Sequence, residues 1–330
     1  MSRRSFEILL AAIAAVLVAV PAAAQPVGAS GPVTPVLQFD PAQGQLPEGV
    51  AVDKRGDVYI SLSPLGQLVR VPAGTSEVEP VGAVPGLEPG DIGLIGLAVD
   101  APGDVYGAVV SANPDAAGVW RFDRTTGAAE RVPGTGAIAF PNAVAFDKRG
   151  TMYVSDSVLG AVWRVRPGGV AEVWADDPLL DGNGSAGFGF PIGANGIAVR
   201  HGTLYVGVTE TSRLVTIPIE PDGSAGTPTV FADLGGIPVD GIALDVHGGW
   251  YVAAPIYDAV LRVDANGTIT ELAAGAADGL DNPTSLAFGT GRGAREQMYA
   301  VNFSVALGTP LGVGPGLVSI DAGVPGWPLP

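Results

Sequence analysis

The chain has 330 residues, contains no cysteine and carries little charge, which argues against disulfide bonds and against a nucleic-acid partner. Without cysteine no disulfide can hold the fold, so stability must come from packed sheets and from closure of the chain on itself. Charged residues make up 15% of the sequence, and 17 lysines and arginines stand against 33 aspartates and glutamates. The formal net charge of -16 and the lack of a basic cluster argue against a nucleic-acid partner, because nothing would neutralise its phosphates.

Long hydrophobic runs are also scarce, and the clearest one, residues 8–20, lies near the N-terminus. Arg3 and Arg4 precede this run, and a small-residue cleavage motif ends just before Gln25. The run is too short to span a bilayer, which takes about 20 apolar residues. The pattern is typical of an export signal rather than of a membrane anchor.

The segment Ser2–Phe6 resembles the twin-arginine export motif, with Glu7 where that motif usually has leucine. We therefore expect residues 1–24 to be a signal peptide and residues 25–330 to form a single domain. The mature protein is expected in the periplasm or outside the cell, free of the membrane once the signal is cleaved.

What the sequence does have is glycine, proline and a regularly spaced tyrosine. There are 49 glycines and 29 prolines, as expected for many short strands joined by turns. Six of the seven tyrosines recur at intervals of 46 to 52 residues, and these are Tyr59, Tyr106, Tyr153, Tyr205, Tyr251 and Tyr299. A period of this size predicts an all-β, six-bladed β-propeller of four-stranded blades. The tyrosine itself is expected to pack between blades rather than to take part in chemistry.

The sixth repeat lacks an outer strand, because it ends near residues 317–321 with only a Pro/Gly tail after it. A segment of the missing type occurs instead at the start of the mature chain, over residues 32–39. We predict that this N-terminal strand pairs into blade six and closes the ring, which leaves no open sheet edge.

Polar residues recur at the start of the innermost strand of the repeat. The six equivalent positions are Glu48, Ile95, Asn142, Asn195, Asp240 and Thr284. In the first five blades they precede the tyrosine by ten or eleven residues, and Thr284 is placed by its sequence context. Since a propeller brings equivalent positions together at its axis, two carboxylates and two amides are predicted to converge there.

Two carboxylates in a partly desolvated channel repel each other unless a cation lies between them. Oxygen ligands without histidine or cysteine favour calcium or magnesium, and a wide site with room for water suits the roughly six to eight ligands of calcium. The alternative is that Asn-Gly and Asp-Gly are only turn sequences, although Glu48 in the same register is not a turn former. We expect a divalent-ion site, preferably for calcium.

The ordered set resembles that of the regucalcin/gluconolactonase family of six-bladed propellers, and of the related diisopropyl fluorophosphatase and paraoxonase enzymes. The resemblance rests on four short motifs, namely Pro47-Glu48-Gly49, Pro141-Asn142, Ala194-Asn195-Gly196 and Val239-Asp240-Gly241. It implies that Glu48, Asn142, Asn195 and Asp240 hold a catalytic calcium ion, with Asp240 also acting as general base or nucleophile and Asn142 contacting substrate. The function implied is a calcium-dependent hydrolase acting on a small lactone or ester.

Asp156, Asn302 and the two histidines are the other polar residues that could belong to the site. Asp156 and Asn302 share one position of the second strand that is apolar in the other blades, so they are predicted substrate contacts together with Asn142 and Thr284. The alternative for Asp156 and Asn302 is a surface-facing hydrogen bond. Paraoxonases have a histidine pair beside the metal, but His201 and His247 fall in hairpins at the opposite end of the strands and are excluded.

Two other functions remain open from the sequence. The first is a non-catalytic propeller that binds a ligand or partner and uses an axial calcium only for structure, which Ile95 favours because it offers the axis no polar group. The second is a lyase or synthase similar to the plant strictosidine-synthase propellers. Fold alone does not separate these functions.

Overall fold

The computed structural model describes residues 33–187, 189–291, 293–304 and 313–328. Within these ranges the chain forms 24 β-strands, which group into six four-stranded antiparallel sheets arranged as blades. The predicted all-β, six-bladed propeller with four-stranded blades is therefore confirmed. The predicted signal peptide, residues 1–24, lies outside the described residues. In the part of the chain that is described, no helix is long and apolar enough to cross a membrane.

Each blade runs from an innermost strand at the axis to an outermost strand at the rim. Blades one to three consist of β2 Pro47–Val52, β3 Val58–Leu62, β4 Gln67–Val71 and β5 Glu79–Ala83; β6 Gly93–Val99, β7 Val105–Val110, β8 Gly118–Phe122 and β9 Ala129–Arg131; and β10 Pro141–Phe146, β11 Met152–Asp156, β12 Ala161–Val165 and β13 Glu172–Asp176. Blades four to six consist of β14 Ala194–Arg200, β15 Thr203–Val208, β16 Arg213–Pro218 and β17 Thr229–Asp233; β18 Ile242–Leu244, β19 Trp250–Ala254, β20 Ala259–Val263 and β21 Ile269–Ala274; and β22 Pro283–Phe288, β23 Gln297–Asn302, β24 Gly316–Asp321 and β1 Val33–Gln38. Short 3-10 helices of one turn each cover Pro41–Gln43, Ser63–Leu65, Thr135–Ala137, Pro178–Leu180, Pro255–Tyr257 and Ala276–Asp278.

The second strand of a blade is buried on both of its faces. Every residue of β3, β11 and β19 is buried, because neighbouring blades pack against the two sides of each sheet. These strands consequently read as nearly continuous runs of apolar and small residues rather than as a strict alternation. The core of the molecule is therefore a set of layers between blades rather than one central cluster.

The repeated tyrosine belongs to these layers. The ring of Tyr106 meets Phe146 of the next blade edge to face with centroids 4.9 Å apart, and Tyr205 meets Trp250 in the same way at 4.8 Å. Burial raises the pKa of Tyr106 to about 12, so the hydroxyl stays neutral. The tyrosines pack between blades, as the sequence predicted.

The ring of blades closes through the two ends of the chain. The strand β1 pairs antiparallel with β24, from Val33 opposite Ile320 to Gln38 opposite Gly316. Blade six therefore combines three strands from the C-terminal part with one from the N-terminal part, which confirms the predicted closure.

The segment after β24 crosses one end of the axial channel, which the sequence did not predict. The Trp327 N–H donates to the Leu244 carbonyl at 2.8 Å, and the Trp327 ring lies 4.4 Å from the His201 ring and 4.9 Å from the Arg200 guanidinium. Trp327 and Pro328 line a cavity of about 180 Å³ together with the innermost strands of all six blades. The channel wall at this end is thus mostly apolar and contacts the C-terminal segment, and the six recurring positions that include Glu48 and Asp240 lie at the other end.

Candidate functional site

The six equivalent residues form a ring at the end of the channel where the innermost strands begin. Contacts join neighbouring blades around the axis: the Thr284 hydroxyl donates to the Glu48 carbonyl at 2.8 Å, and the Gly241 N–H donates to the Thr284 carbonyl at 2.8 Å. The Gly196 N–H donates to the Asp240 carbonyl at 3.2 Å. The predicted convergence of these positions is therefore what the fold produces.

A β-bulge occurs at this point in most blades. The register between the first two strands shifts around the ring residue in blades one, two, three, four and six. A bulge bends a strand and changes the direction of one side chain, and bulges often occur beside active sites. The repeated irregularity therefore marks the ring as a specialised part of each blade.

The glycines that follow several ring residues are needed for close approach, not for turns. A Cβ at Gly49 would lie 2.5 Å from the Ile95 carbonyl oxygen, and one at Gly241 would lie 2.6 Å from the Thr284 carbonyl oxygen. Neither glycine has a positive φ angle. The turn interpretation is therefore wrong at Asp240-Gly241, and at both positions glycine lets adjacent blades meet at the axis.

The carboxylates of Glu48 and Asp240 interact across the ring. Burial, and after it the charge of Asp240, raises the pKa of Glu48 well above its ordinary value. Burial raises the pKa of Asp240 to about 7, although a hydrogen bond from Asn195 opposes this shift. The Glu48 Oε2 atom is shielded from solvent and has no hydrogen-bond partner. A carboxylate oxygen in this condition needs either a proton or a cation.

Both ring amides are held by a hydroxyl group of the same blade. The Asn142 Nδ2 donates to Ser157 Oγ at 3.1 Å, and this hydroxyl donates to the Ala194 carbonyl at 2.7 Å. The Asn195 Nδ2 donates to Thr209 Oγ1 at 3.0 Å, and this hydroxyl donates to the Val239 carbonyl at 2.8 Å. Because the NH₂ groups are engaged in this way, the amide oxygens are left to face a ligand.

Ser157 and Thr209 were not predicted as site residues from the sequence, although the sequence carries a signal. A hydroxyl residue occurs 14 to 16 positions after the ring residue in four successive blades, as Ser63, Ser111, Ser157 and Thr209. The recurrence could have indicated a role, but not which of the four would contact a ring side chain.

The four polar ring residues discussed above, Glu48, Asn142, Asn195 and Asp240, would offer a metal ion only oxygen atoms as ligands. Glu48 and Asp240 supply carboxylates, and Asn142 and Asn195, which are buried, supply amide carbonyls. Groups of three or more His, Cys, Asp or Glu residues suited to a metal do not occur in the described ranges, so any ion here would depend on the amides. Hard oxygen donors of this kind suit calcium or magnesium, and the partnerless Glu48 oxygen fits such an ion.

Asp156 and Asn302 lie beside the ring but face the protein. Both are fully buried. The Asp156 carboxylate accepts from the backbone N–H groups of Ala139 and Phe140, and the Asn302 Oδ1 accepts from the N–H of Asp281. These bonds hold the loops that enter the innermost strands, so the geometry favours a structural role over the predicted substrate contact.

The remaining candidates divide between the two ends of the molecule. Thr284 is buried in the ring, where its hydroxyl is bonded to the Glu48 carbonyl. His201 and His247 lie in the hairpins that follow β14 and β18, at the end of the channel near Trp327. Their exclusion from the site agrees with this placement.

Part of the chain matches a known family. Residues 192–300 match the family model described as SMP-30/Gluconolactonase/LRE-like region, and this range contains Asn195, Asp240 and Thr284. The predicted resemblance to the gluconolactonase and regucalcin family is therefore confirmed. No curated protein matches the chain in sequence.

Solved structures with the same fold cover nearly the whole chain. A calcium-binding regucalcin from Agrobacterium tumefaciens is 18% identical with a TM-score of 0.66, over 91% of this chain and 96% of its own. A gluconolactonase from Xanthomonas campestris is 17% identical with a TM-score of 0.62, over 92% and 99%. A luciferin-regenerating enzyme is 14% identical with a TM-score of 0.65, over 91% and 98%. At these identities the similarity establishes the propeller fold.

Proposed function

We propose that the protein is a lactonase-type hydrolase that depends on calcium and acts on a small lactone or ester. The observation that carries the proposal is the ring of Glu48, Asn142, Asn195 and Asp240, in which two interacting carboxylates and two oriented amides meet at one end of the channel. The match of residues 192–300 to a family that includes gluconolactonases supports it.

The four oxygen donors would hold the calcium ion. Glu48 and Asp240 would neutralise its charge, and the amide oxygens of Asn142 and Asn195 would complete the protein's share of the ligands. When bound, the ion would supply positive charge against the carbonyl oxygen of the substrate and the oxyanion that develops from it.

Asp240 is the residue we assign to the chemistry. Its backbone is held against Ala253: the Asp240 N–H donates to the Ala253 carbonyl at 3.0 Å, and the Ala253 N–H donates to the carbonyl of the adjacent Gly241 at 2.9 Å. Its carboxylate interacts with the Asn195 side chain, which opposes the rise of its pKa. A carboxylate held in this way would take a proton from an attacking water or attack the carbonyl carbon itself.

A non-catalytic function has one observation in its favour. Ile95 is buried at the ring position of blade two, where it offers no group to orient a substrate. In that case the ion would only join the blades at the axis, and the propeller would bind a ligand or partner without turning it over.

Both the hydrolase and the non-catalytic function require calcium at the ring. Calcium titration by calorimetry on the mature protein tests whether the ring binds the ion. We expect one ion to bind to the wild type and none to the Glu48→Gln/Asp240→Asn double variant. A lactone and ester screen with and without a chelator then follows. Turnover that is lost on chelation supports the hydrolase, and calcium binding with no turnover of any substrate supports the non-catalytic function. Equal calcium binding by wild type and double variant would refute the site.

We also propose that residues 1–24 direct export, so that the mature protein works in the periplasm or outside the cell. The support is the basic start and the apolar run that precedes a small-residue cleavage motif. N-terminal sequencing of the protein from a host with functional export should begin at Gln25. A chain that keeps its first residues in the cytoplasm would disprove the proposal.

A further inference from the structure

The two ends of the propeller carry very different charges. The loops entering each innermost strand and the hairpins between second and third strands lie at the ring end, and the other hairpins lie at the opposite end. Among the described lysines and arginines, only Arg131 and Arg213 lie at the ring end. The hairpins of the opposite end carry Lys54, Lys148 and Arg295, among others.

Acidic residues are abundant where basic ones are missing. Asp115, Asp176, Asp181 and Asp233 are exposed in the loops and strand ends on the ring side. The ion pairs that neutralise acidic groups elsewhere, such as that between Arg121 and Asp104 at 2.8 Å, lie toward the other end. The negative charge around the ring is therefore largely left without a partner of opposite sign.

The ring itself points to a positive ligand. Glu48 Oε2 is shielded from solvent and lacks a hydrogen-bond partner, and its carboxylate faces the negative charge of Asp240. One divalent ion would offset these two carboxylates and leave the charge of the surrounding loops in place. A mouth lined by charge of one sign, with walls of low dielectric, concentrates ligands of the opposite sign.

We propose that this end of the propeller selects substrates by charge, and that its preferred substrates are lactones or esters bearing a positive charge. Neutral substrates are accepted less well, and those bearing a carboxylate or phosphate are repelled. The inference rests on the proposed hydrolase function, since it names the substrate class of the same ring.

The test uses one aryl ester carrying a trimethylammonium, a tert-butyl or a carboxylate group at the same position. The first two groups match in size and differ in charge, and the third reverses the charge. With saturating calcium and low salt we expect kcat/KM for the ammonium ester to exceed that for the carboxylate ester by about tenfold or more. The ratio should shrink several-fold in about 0.5 M salt, where the screening length is only a few ångströms. Equal rates, or a preference for the carboxylate, would overturn the inference.

Charge variants show whether the ring end is responsible. The variant Asp115→Asn/Asp176→Asn/Asp181→Asn removes three exposed negative charges there without touching the ring. The matched control, Glu77→Gln/Glu220→Gln/Glu296→Gln, removes three exposed negative charges at the opposite end. We expect the ratio of kcat/KM for the ammonium ester to kcat/KM for the carboxylate ester to fall several-fold in the first variant and to stay unchanged in the second. Equal effects of the two variants would contradict the proposal.

A binding measurement keeps this inference separate from the hydrolase proposal. The corresponding three amides, which resist hydrolysis, are titrated into the calcium-loaded protein by calorimetry. Tighter binding of the ammonium amide with no ester turnover would support charge selection and refute the hydrolase. Ester turnover together with equal binding of the three amides would support the hydrolase and refute charge selection. No measurable binding of any amide, together with no turnover, would overturn both.

Discussion

Two hydroxyl groups determine how the amides of the ring are turned. Ser157 and Thr209 each accept a hydrogen bond from an asparagine NH₂ and donate one to a backbone carbonyl. An amide that could flip would present its NH₂ to the axis, where a cation would be repelled. The hydroxyls are thus positioning residues, and partners of this kind commonly affect metal affinity by about 10- to 100-fold.

Replacing Ser157 by alanine should weaken calcium binding by about tenfold, because Asn142 would lose the contact that fixes its amide. Calorimetric titration of calcium measures this directly. Ser111→Ala is the matched control, since Ser111 is the corresponding hydroxyl of blade two and its side chain donates to Asp91, not to a ring residue. Equal affinities for Ser157→Ala and wild type would show that the amide needs no such support.

Asp240 is expected to be indispensable for turnover. The substitution Asp240→Asn keeps the shape of the side chain but removes its ability to accept a proton or to attack, so kcat/KM should fall by roughly 10² to 10⁴. The thermal unfolding temperature reports whether the fold survives. Activity within tenfold of the wild type, in a variant that remains folded, would assign the chemistry to another residue.

At the scale of strands and turns, the first two strands of a blade are built differently at their two ends. At the ring end the register shifts at a bulge, and glycines allow neighbouring blades to touch. At the other end an aspartate fixes the hairpin: Asp147 Oδ1, for example, accepts from the N–H groups of Arg149 and Thr151 at 2.8 Å each. The same arrangement occurs at Asp53 and Asp245. Part of the acidity of the chain is therefore structural turn chemistry.

A methyl group at Gly241 should destabilise the protein by about 1–3 kcal/mol, because it would press against the Thr284 carbonyl and push blades five and six apart. Urea unfolding of Gly241→Ala gives the free-energy change. Gly291→Ala is the control, because a Cβ there would meet only the Ala294 methyl at 3.9 Å and φ is not positive. Similar losses in the two variants would mean that close approach is not what position 241 requires.

At the scale of the whole molecule, the N-terminal and C-terminal segments contact different parts of the propeller. The strand β1 completes blade six, and the segment around Trp327 crosses the channel at the end opposite the ring. Since no disulfide is possible, the pairing of β1 with β24 is what joins the first and last parts of the chain into one sheet. Closure should therefore matter more for stability than the size of β1 suggests.

Deleting residues 25–40 should lower the unfolding temperature strongly, because β24 becomes an exposed edge and the ring opens. Deleting only residues 25–31 serves as the control, since β1 begins at Val33 and stays intact. Calorimetric scans of the two truncated proteins and the full mature chain give the comparison. Identical unfolding temperatures for all three would show that closure by β1 contributes nothing.

The sequence by itself determined the number of blades, the strands within each blade and the position of the ring. It did so because the repeat puts the same residue types at the same place six times, and a propeller converts that periodicity directly into a shared axis. The N-terminal closing strand was also predictable, since the last repeat lacked a strand and residues 32–39 had the missing pattern.

Only the tertiary structure decided what each polar side chain does. Asp156 and Asn302 look like site residues in the sequence, yet their oxygens are taken by backbone N–H groups of the entry loops. Ser157 and Thr209 look ordinary, yet they orient the ring amides. Hydrogen-bond partners distant in sequence, and the burial that shifts the pKa of Asp240, depend on how blades meet in space. A linear sequence states which groups are available, but the distances between them are set only when the ring closes.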